Sequence, residues 1–199
     1  MNSPSRTLLT LALSSLVAVF AAWAASAPAH ADGIDGSKRS ERLVGTKDAD
    51  TIKGRAGDDK VNGVLGNDRL LGGVGRDQMI GAVGDDWIDA GAGRDVINGG
   101  FGRDVIHDGP GDDIVKGDEQ DDVLYVGDGA DMVYPEEGSD TVYLFPDGDR
   151  DEIYCGKPNV DHDVVVIVGA RDPKDDWDDT NQSCEEIRYE ARPAVRLAD

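Results

Sequence analysis

The sequence is short of histidine, cysteine, aromatic residues and positive charge, and each shortage removes a class of function. Of three histidines one falls in the first 31 residues, and the others, His107 and His162, are too isolated for a zinc or acid–base site. His107 reads as an exposed outer-strand residue. No HExxH, GxSxG or Walker-type segment occurs, so familiar metalloprotease, hydrolase and nucleotide chemistries have no carrier. Lysine and arginine total 20 against 41 acidic residues, for a formal charge of -21. A chain so acidic does not seek nucleic acid phosphates and is repelled by anionic membrane surfaces.

An export signal is expected over residues 1–31. Arg6 supplies a modest positive start, Leu8 to Ala25 is almost continuously apolar, and Ala29-His30-Ala31 is a small-x-small cleavage site. As a membrane anchor the run is barely long enough, is interrupted by Ser14 and Ser15, and is followed by no basic stop-transfer cluster. No membrane span is therefore expected after cleavage. No cysteine stands near the cleavage site and no twin-Arg pair is present, which argues against a lipid anchor and a twin-Arg route. The expected location is secreted or extracellular, with attachment to the cell surface as a variant. Losing Arg6 with the leader takes the formal charge to -22 over residues 32–199. The two cysteines, Cys155 and Cys184, both lie in the exported part. In an oxidising compartment such a pair reads as a disulfide, closing a loop of about 30 residues for roughly 3–4 kcal/mol. Two free thiols are the alternative.

What is abundant is glycine and aspartate, and both are placed with a strict period. Residues 45–143 divide into eleven consecutive nonapeptides without insertion or deletion, of which GGVGRDQMI (72–80), GAVGDDWID (81–89) and GGFGRDVIH (99–107) are the clearest. Position six is Asp in every copy: Asp50, Asp59, Asp68, Asp77, Asp86, Asp95, Asp104, Asp113, Asp122, Asp131 and Asp140. Position eight is apolar in every copy, from Ile52 and Val61 through to Val133 and Val142. Position four is Gly except at Asp48 and Gln120. Acidic disordered chains lack such order.

Each position has a physical reason. The glycine-rich half supplies backbone for positive φ or close approach, so it turns. The last three residues set one apolar side chain between two outward ones, which makes a very short strand. One such unit cannot fold alone, and stacking builds a continuous core from the position-eight ladder. Stacked strands lie about 4.8 Å apart, where two bare carboxylates repel by roughly 3.5 kcal/mol at an effective dielectric of 20. A divalent cation between them reverses that sign. Oxygen-only ligation suits a hard cation, and calcium, with its loose shell, is favoured over octahedral magnesium. The bland alternative is that the aspartates cap turns, but caps would tolerate Asn or Ser somewhere among eleven copies.

These repeats resemble the RTX, or haemolysin-type, calcium-binding family, whose consensus is GGxGxDxUx. The resemblance implies an all-β, right-handed parallel β-roll (a β-solenoid) whose coil takes two repeats, or 18 residues. It also implies several calcium ions, each held between turns two repeats apart by Asp side chains and main-chain carbonyls. One edge would pair Asp50/Asp68, Asp68/Asp86, Asp86/Asp104, Asp104/Asp122 and Asp122/Asp140. The other would pair Asp59/Asp77, Asp77/Asp95, Asp95/Asp113 and Asp113/Asp131. Position one is Asp108, Val126 and Pro135 in three later repeats, and β-branched or proline residues there are expected to weaken binding. The sites between Gly54 and Asp113 fit the pattern best.

The expected organisation is a signal peptide over 1–31, an N-terminal cap over 32–44, the calcium-binding roll over 45–154 and a disulfide-pinned C-terminal cap over 155–199. Within the roll, PDGDRDEIY (146–154) reads as a degraded copy after a two-residue slip, with Asp151 and Ile153 in the key places. The segments CGKPNVDHDVVV and SCEEIR resemble the cysteine-containing ends of bacterial exported members of the family. Tyr125 and Tyr143 are expected to stack on one face and Tyr134 on the other, covered by the tail or open to a partner. The function expected is non-enzymatic calcium binding with folding coupled to calcium. Two alternatives stand beside it: a calcium-stabilised surface adhesin or matrix protein that self-associates or binds a cell-surface partner, and an enzyme acting on extracellular polysaccharide. Protease, lipase and toxin activities found with such repeats elsewhere are not carried over.

Overall fold

The computed structural model describes residues 33–155, 162–169, 176–177, 184 and 186–190; the expected leader and parts of the expected C-terminal cap lie outside the described residues. Among the described residues there is no helix, and the strands run β1 (Gly33–Asp35), β2 (Arg42–Val44), β3 (Thr51–Ala56), β4 (Lys60–Leu65), β5 (Arg69–Val74), β6 (Gln78–Val83), β7 (Trp87–Ala92), β8 (Val96–Phe101), β9 (Val105–His107), β10 (Ile114–Glu119), β11 (Val123–Val126), β12 (Met132–Glu137), β13 (Thr141–Leu144), β14 (Glu152–Ile153), β15 (Val164–Val168), β16 (Asp176–Trp177) and β17 (Glu186–Glu190). Odd-numbered strands form one nine-stranded sheet and even-numbered strands an eight-stranded one, each in chain order. Every pairing is parallel, with Thr51 opposite Arg69, Arg69 opposite Trp87 and Lys60 opposite Gln78. The chain therefore winds as a parallel β-solenoid, one strand in each sheet per coil of two nonapeptides.

The alternation within each strand explains the winding. In β4 the burial runs exposed Lys60, buried Val61, half-buried Asn62, and the same pattern recurs along both sheets. Position-eight side chains from both sheets merge into a single core, Ile52, Val61, Leu70, Met79, Ile88, Ile97, Ile106, Val115, Leu124, Val133 and Val142, none more than 1% exposed. Each contributes about 1.5–3 kcal/mol of apolar burial. No one coil holds enough core to stand alone, so the stack is the folding unit.

Position two takes a left-handed backbone in every repeat from Arg55 to Asp118 and again at Glu136. Gly73 and Gly100 adopt it freely, at φ of 112° and 114°, whereas Val64 is held there at φ 89°. A β-branched side chain in that region costs on the order of 1–3 kcal/mol. Val64 is only half-buried, so little packing is lost with its side chain. Val64→Gly is expected to raise stability by about 1 kcal/mol, after allowing for the extra chain entropy that glycine loses on folding. A denaturant midpoint in saturating calcium measures this, and a lowered midpoint would show that no strain is relieved.

Both ends continue the winding. At the N-terminal end, where a cap was expected over 32–44, β1 and β2 pair with β3 and β4 in the same register, placing Ile34 and Leu43 against the core. At the C-terminal end Met132 faces Glu152 and Thr141 faces Val164, so the coil lengthens after residue 143. The expected degraded copy is there, with Ile153 in the core. Cys155 and Cys184 form a disulfide, with Cys155 buried in the core and Cys184 packed against it. Strands β15, β16 and β17 extend the two sheets.

Aromatic side chains line up along the outer faces as the repeat dictates. Tyr125 stacks on Tyr143 at 4.9 Å, and on the other sheet Tyr134 stacks on Tyr154 at 4.9 Å. His107 is not the freely exposed residue expected: it is half-buried, stacked on Tyr125 at 4.3 Å and close to Trp87. Stacking follows from register, since His107 and Tyr125 are direct partners in β9 and β11.

Candidate metal centre

The strand register brings the position-six aspartates into two continuous rows. Each is joined to its neighbour one coil away by a hydrogen bond, the Asp50 N–H donating to Asp68 Oδ1 at 2.7 Å and the Asp59 N–H to Asp77 Oδ1 at 2.7 Å. The bond repeats without a gap along both rows, as far as Asp122 to Asp140 at 2.7 Å and Asp113 to Asp131 at 2.8 Å. The neighbours so joined are those that the family resemblance pairs. All eleven aspartates are buried, none more than 3% exposed.

Half of each carboxylate is thereby a turn cap, and the other half is left over. The Oδ2 atoms of Asp59, Asp68, Asp77, Asp86, Asp95, Asp104, Asp113, Asp122, Asp131 and Asp140 reach neither solvent nor a hydrogen-bond partner. Asp50, at the start, differs: its Oδ2 accepts from the Thr46 N–H at 2.6 Å and from the Thr46 hydroxyl at 2.9 Å, and its Oδ1 is the unpartnered atom. Asn would serve as well for the cap. It would not supply the second anionic oxygen, which is a strong ligand for a hard cation and costly to bury without one. A second, exposed row at position five shows what capping alone looks like: Asp58 Oδ1 accepts from the Arg76 N–H and Asp85 Oδ1 from the Arg103 N–H, both at 3.0 Å.

Glycine at position one keeps the space beside the leftover oxygen clear. A Cβ added to Gly81 would fall onto Asp86 Oδ2 and lie 2.5 Å from the Gly99 carbonyl oxygen. The lining is therefore carboxylate and carbonyl oxygen, the donor set of a calcium ligand shell. The two edges differ in how far this persists. Along the row that precedes the odd-numbered strands, position one is Gly45, Gly63, Gly81, Gly99 and Gly117 before Pro135 intervenes. Along the other it is Gly54, Gly72, Ala90, Asp108 and Val126, the last three with buried side chains.

Burial dominates the electrostatics. It pushes the Asp86 and Asp95 carboxyls up to about 7, against the favourable amide bond each accepts, and neighbouring carboxylates push further in the same direction. Asp122 is raised to about 8 and Asp131 to about 9, again by burial first, with the Asp108 carboxylate the next contributor for Asp131. Toward the N-terminal end Asp59, Asp68 and Asp77 shift upward for the same reason. Near neutral pH these rows call for positive charge, from protons or from cations.

Two members of the rows escape a reading of the strict period, and a third acid, Asp108 at position one, stands beside them. Glu41 takes the position-six place in GSKRSERLV, its N–H donating to Asp59 Oδ1 at 2.8 Å. Asp163 stands at the far end, accepting from the Asp140 N–H at 3.1 Å. Its signal was the triplet Asp163-Val164-Val165, hidden because the spacing had stretched to 23 residues. Asp108 replaces a glycine, and sits fully buried beside Asp113 and Asp131.

The chain has no match among curated proteins. A family model described as the RTX calcium-binding nonapeptide repeat, in four copies, matches residues 35–70, 71–106 and 107–142 in turn. The matched stretch begins before residue 45 and so takes in Glu41. Calcium is accordingly the cation that these repeats bind. With more than half of its length accounted for by consecutive matches, the chain belongs to the RTX calcium-binding nonapeptide-repeat family.

Proposed function

We propose that this chain is an exported, non-catalytic calcium-binding protein whose solenoid folds as calcium loads the turns between neighbouring coils. The single observation that carries the reading is the row of buried Oδ2 atoms without partners, recurring once per repeat from Asp59 to Asp140, with a position-one glycine against those of Asp59, Asp68, Asp77, Asp86, Asp104 and Asp122. Residues Asp59, Asp68, Asp77, Asp86, Asp95, Asp104, Asp113, Asp122, Asp131 and Asp140, with Asp50 through its other oxygen, would hold the ions together with turn carbonyls. Export is supported by the leader-like pattern of residues 1–31 and by the disulfide, which needs an oxidising compartment to form. The non-catalytic reading is supported by the distribution of the raised carboxyls, which run along the rod instead of converging on one cleft.

Calorimetric titration tests the binding. Calcium added to the metal-free full chain is expected to bind at several sites per molecule, with magnesium at the same concentrations giving a small fraction of the heat. Equal response to both ions, or no saturable binding of either, would sink the reading.

A further inference from the structure

The turn at residues 108–113 breaks the repeat in a way that adds a ligand where the others have only space. Position one is Asp108, and its side chain is fully buried. Its Oδ1 accepts from two amides, the Gly109 N–H at 2.6 Å and the Gly127 N–H at 2.8 Å, so the carboxylate is fixed from the backbone of two successive coils. Its Oδ2 has neither solvent nor partner, and the same holds for Oδ2 of Asp113 in its own turn and of Asp131 one coil on. Asp108, Asp113 and Asp131 each offer a carboxylate oxygen, and these oxygens all lie within 4.8 Å of one another. Calcium–oxygen bonds of about 2.3–2.6 Å allow ligand oxygens on one ion to be at most about 5 Å apart. The three can therefore share a single ion. Among the described residues no other group of three acidic, His or Cys side chains converges in this way.

We infer that Asp108, Asp113 and Asp131 form a three-carboxylate cation site, different in kind from the two-carboxylate stations of the regular repeat, and that it takes calcium, or a trivalent lanthanide of similar size, more tightly than those stations do. The reason is charge count. A regular station offers two aspartates and carbonyls, whereas this one adds a third full negative charge in a place closed to water, and affinity for hard cations rises with the charge of the ligand set. The substitution that breaks the consensus at position one is on this reading a gain of binding, in contrast to Val126 on the same edge, which puts a hydrocarbon there.

This inference rests on the calcium reading proposed above, and the experiment separates the two. Calcium is titrated into the full chain in competition with a chromophoric chelator, for the natural protein, Asp108→Asn and Asp108→Gly. The natural protein is expected to show one ion bound at least tenfold more tightly than the rest. Both variants are expected to lose that tightest ion while keeping the weaker class, and to reach the natural circular dichroism in saturating calcium, because Gly is what the repeat itself carries at this position. Persistence of the tightest ion in both variants overturns the inference. So does a uniform class of calcium in the natural protein that neither variant alters. If Asp108 merely shared a proton with a neighbouring carboxylate, Asp108→Asn would mimic it and leave calcium affinity unchanged, which also overturns the site. A natural protein that binds no calcium overturns the proposed function, and this inference with it. Terbium luminescence gives the independent readout: one high-affinity terbium is expected in the natural protein and none in Asp108→Asn.

Discussion

Calcium added to chelated protein near pH 8 is expected to produce most of its β-sheet circular dichroism, and magnesium at the same concentration only a small part. The expectation follows from what one coil contributes. Two nonapeptides bring two aliphatic side chains such as Ile88 and Ile97 into the core, while two carboxylates such as Asp86 and Asp95 go with them out of water. An unpaired buried carboxylate costs several kcal/mol, enough to cancel an aliphatic contribution of about 1.5–3 kcal/mol. Folding without metal therefore brings little or no gain per coil, and a long stack does not improve on a short one. With an ion against each leftover oxygen the carboxylate changes from a cost to a ligand, and binding free energy becomes folding free energy. Magnesium demands a near-regular octahedron and gives up its water reluctantly, which turns built from backbone carbonyls do not readily reward. A chelated protein already showing the full β-signal, unmoved by calcium, would overturn the coupling.

The period carried most of this architecture because it is enforced by two independent demands. An apolar residue at position eight and an aspartate at position six each recur every nine residues, so either ladder alone fixes the frame and the other confirms it. The coil length was different. Nine-residue spacing is equally compatible with one or two repeats per coil, and it was the family resemblance that implied 18; the pairing of Thr51 with Arg69 agrees. What the period hid lies where one demand lapsed. Glu41 keeps the charge but not the residue, and Asp163 keeps the residue but not the spacing; Asp108 was legible as a departure at a glycine position, but its convergence on Asp113 and Asp131 was not. The division of labour within each carboxylate could not be read from sequence at all. That Oδ1 caps an amide and Oδ2 is left for a cation depends on the stacking distance and on the absent Cβ of position one, both properties of the folded coil.

Acid and calcium should act on the fold in opposite directions, and the sign can be derived. Burial raises Asp86, Asp95 and Asp140 to about 7 and Asp122 to about 8 in the folded, metal-free chain, from an ordinary value of 3.8. Between those limits the folded state holds protons that the unfolded state has released. Stability then falls as pH rises, by about 1.4 kcal/mol per pH unit for each carboxyl protonated only when folded. In chelator, the stabilisation is fully present below about pH 4 and is lost progressively as pH climbs from there through about 7 to 8, because the buried rows must ionise without a counter-charge. In excess calcium the ionised form is the one that binds, so protons compete with the metal and stability rises over the same interval. Thermal midpoints measured from about pH 5 to pH 8 should therefore slope downward in chelator and upward in calcium, with the gap between them widest at the alkaline end. Parallel slopes in the two conditions would mean that the leftover oxygens are not where the calcium goes. A downward slope in calcium would mean that protons, and not metal ions, are what these buried rows are built to hold.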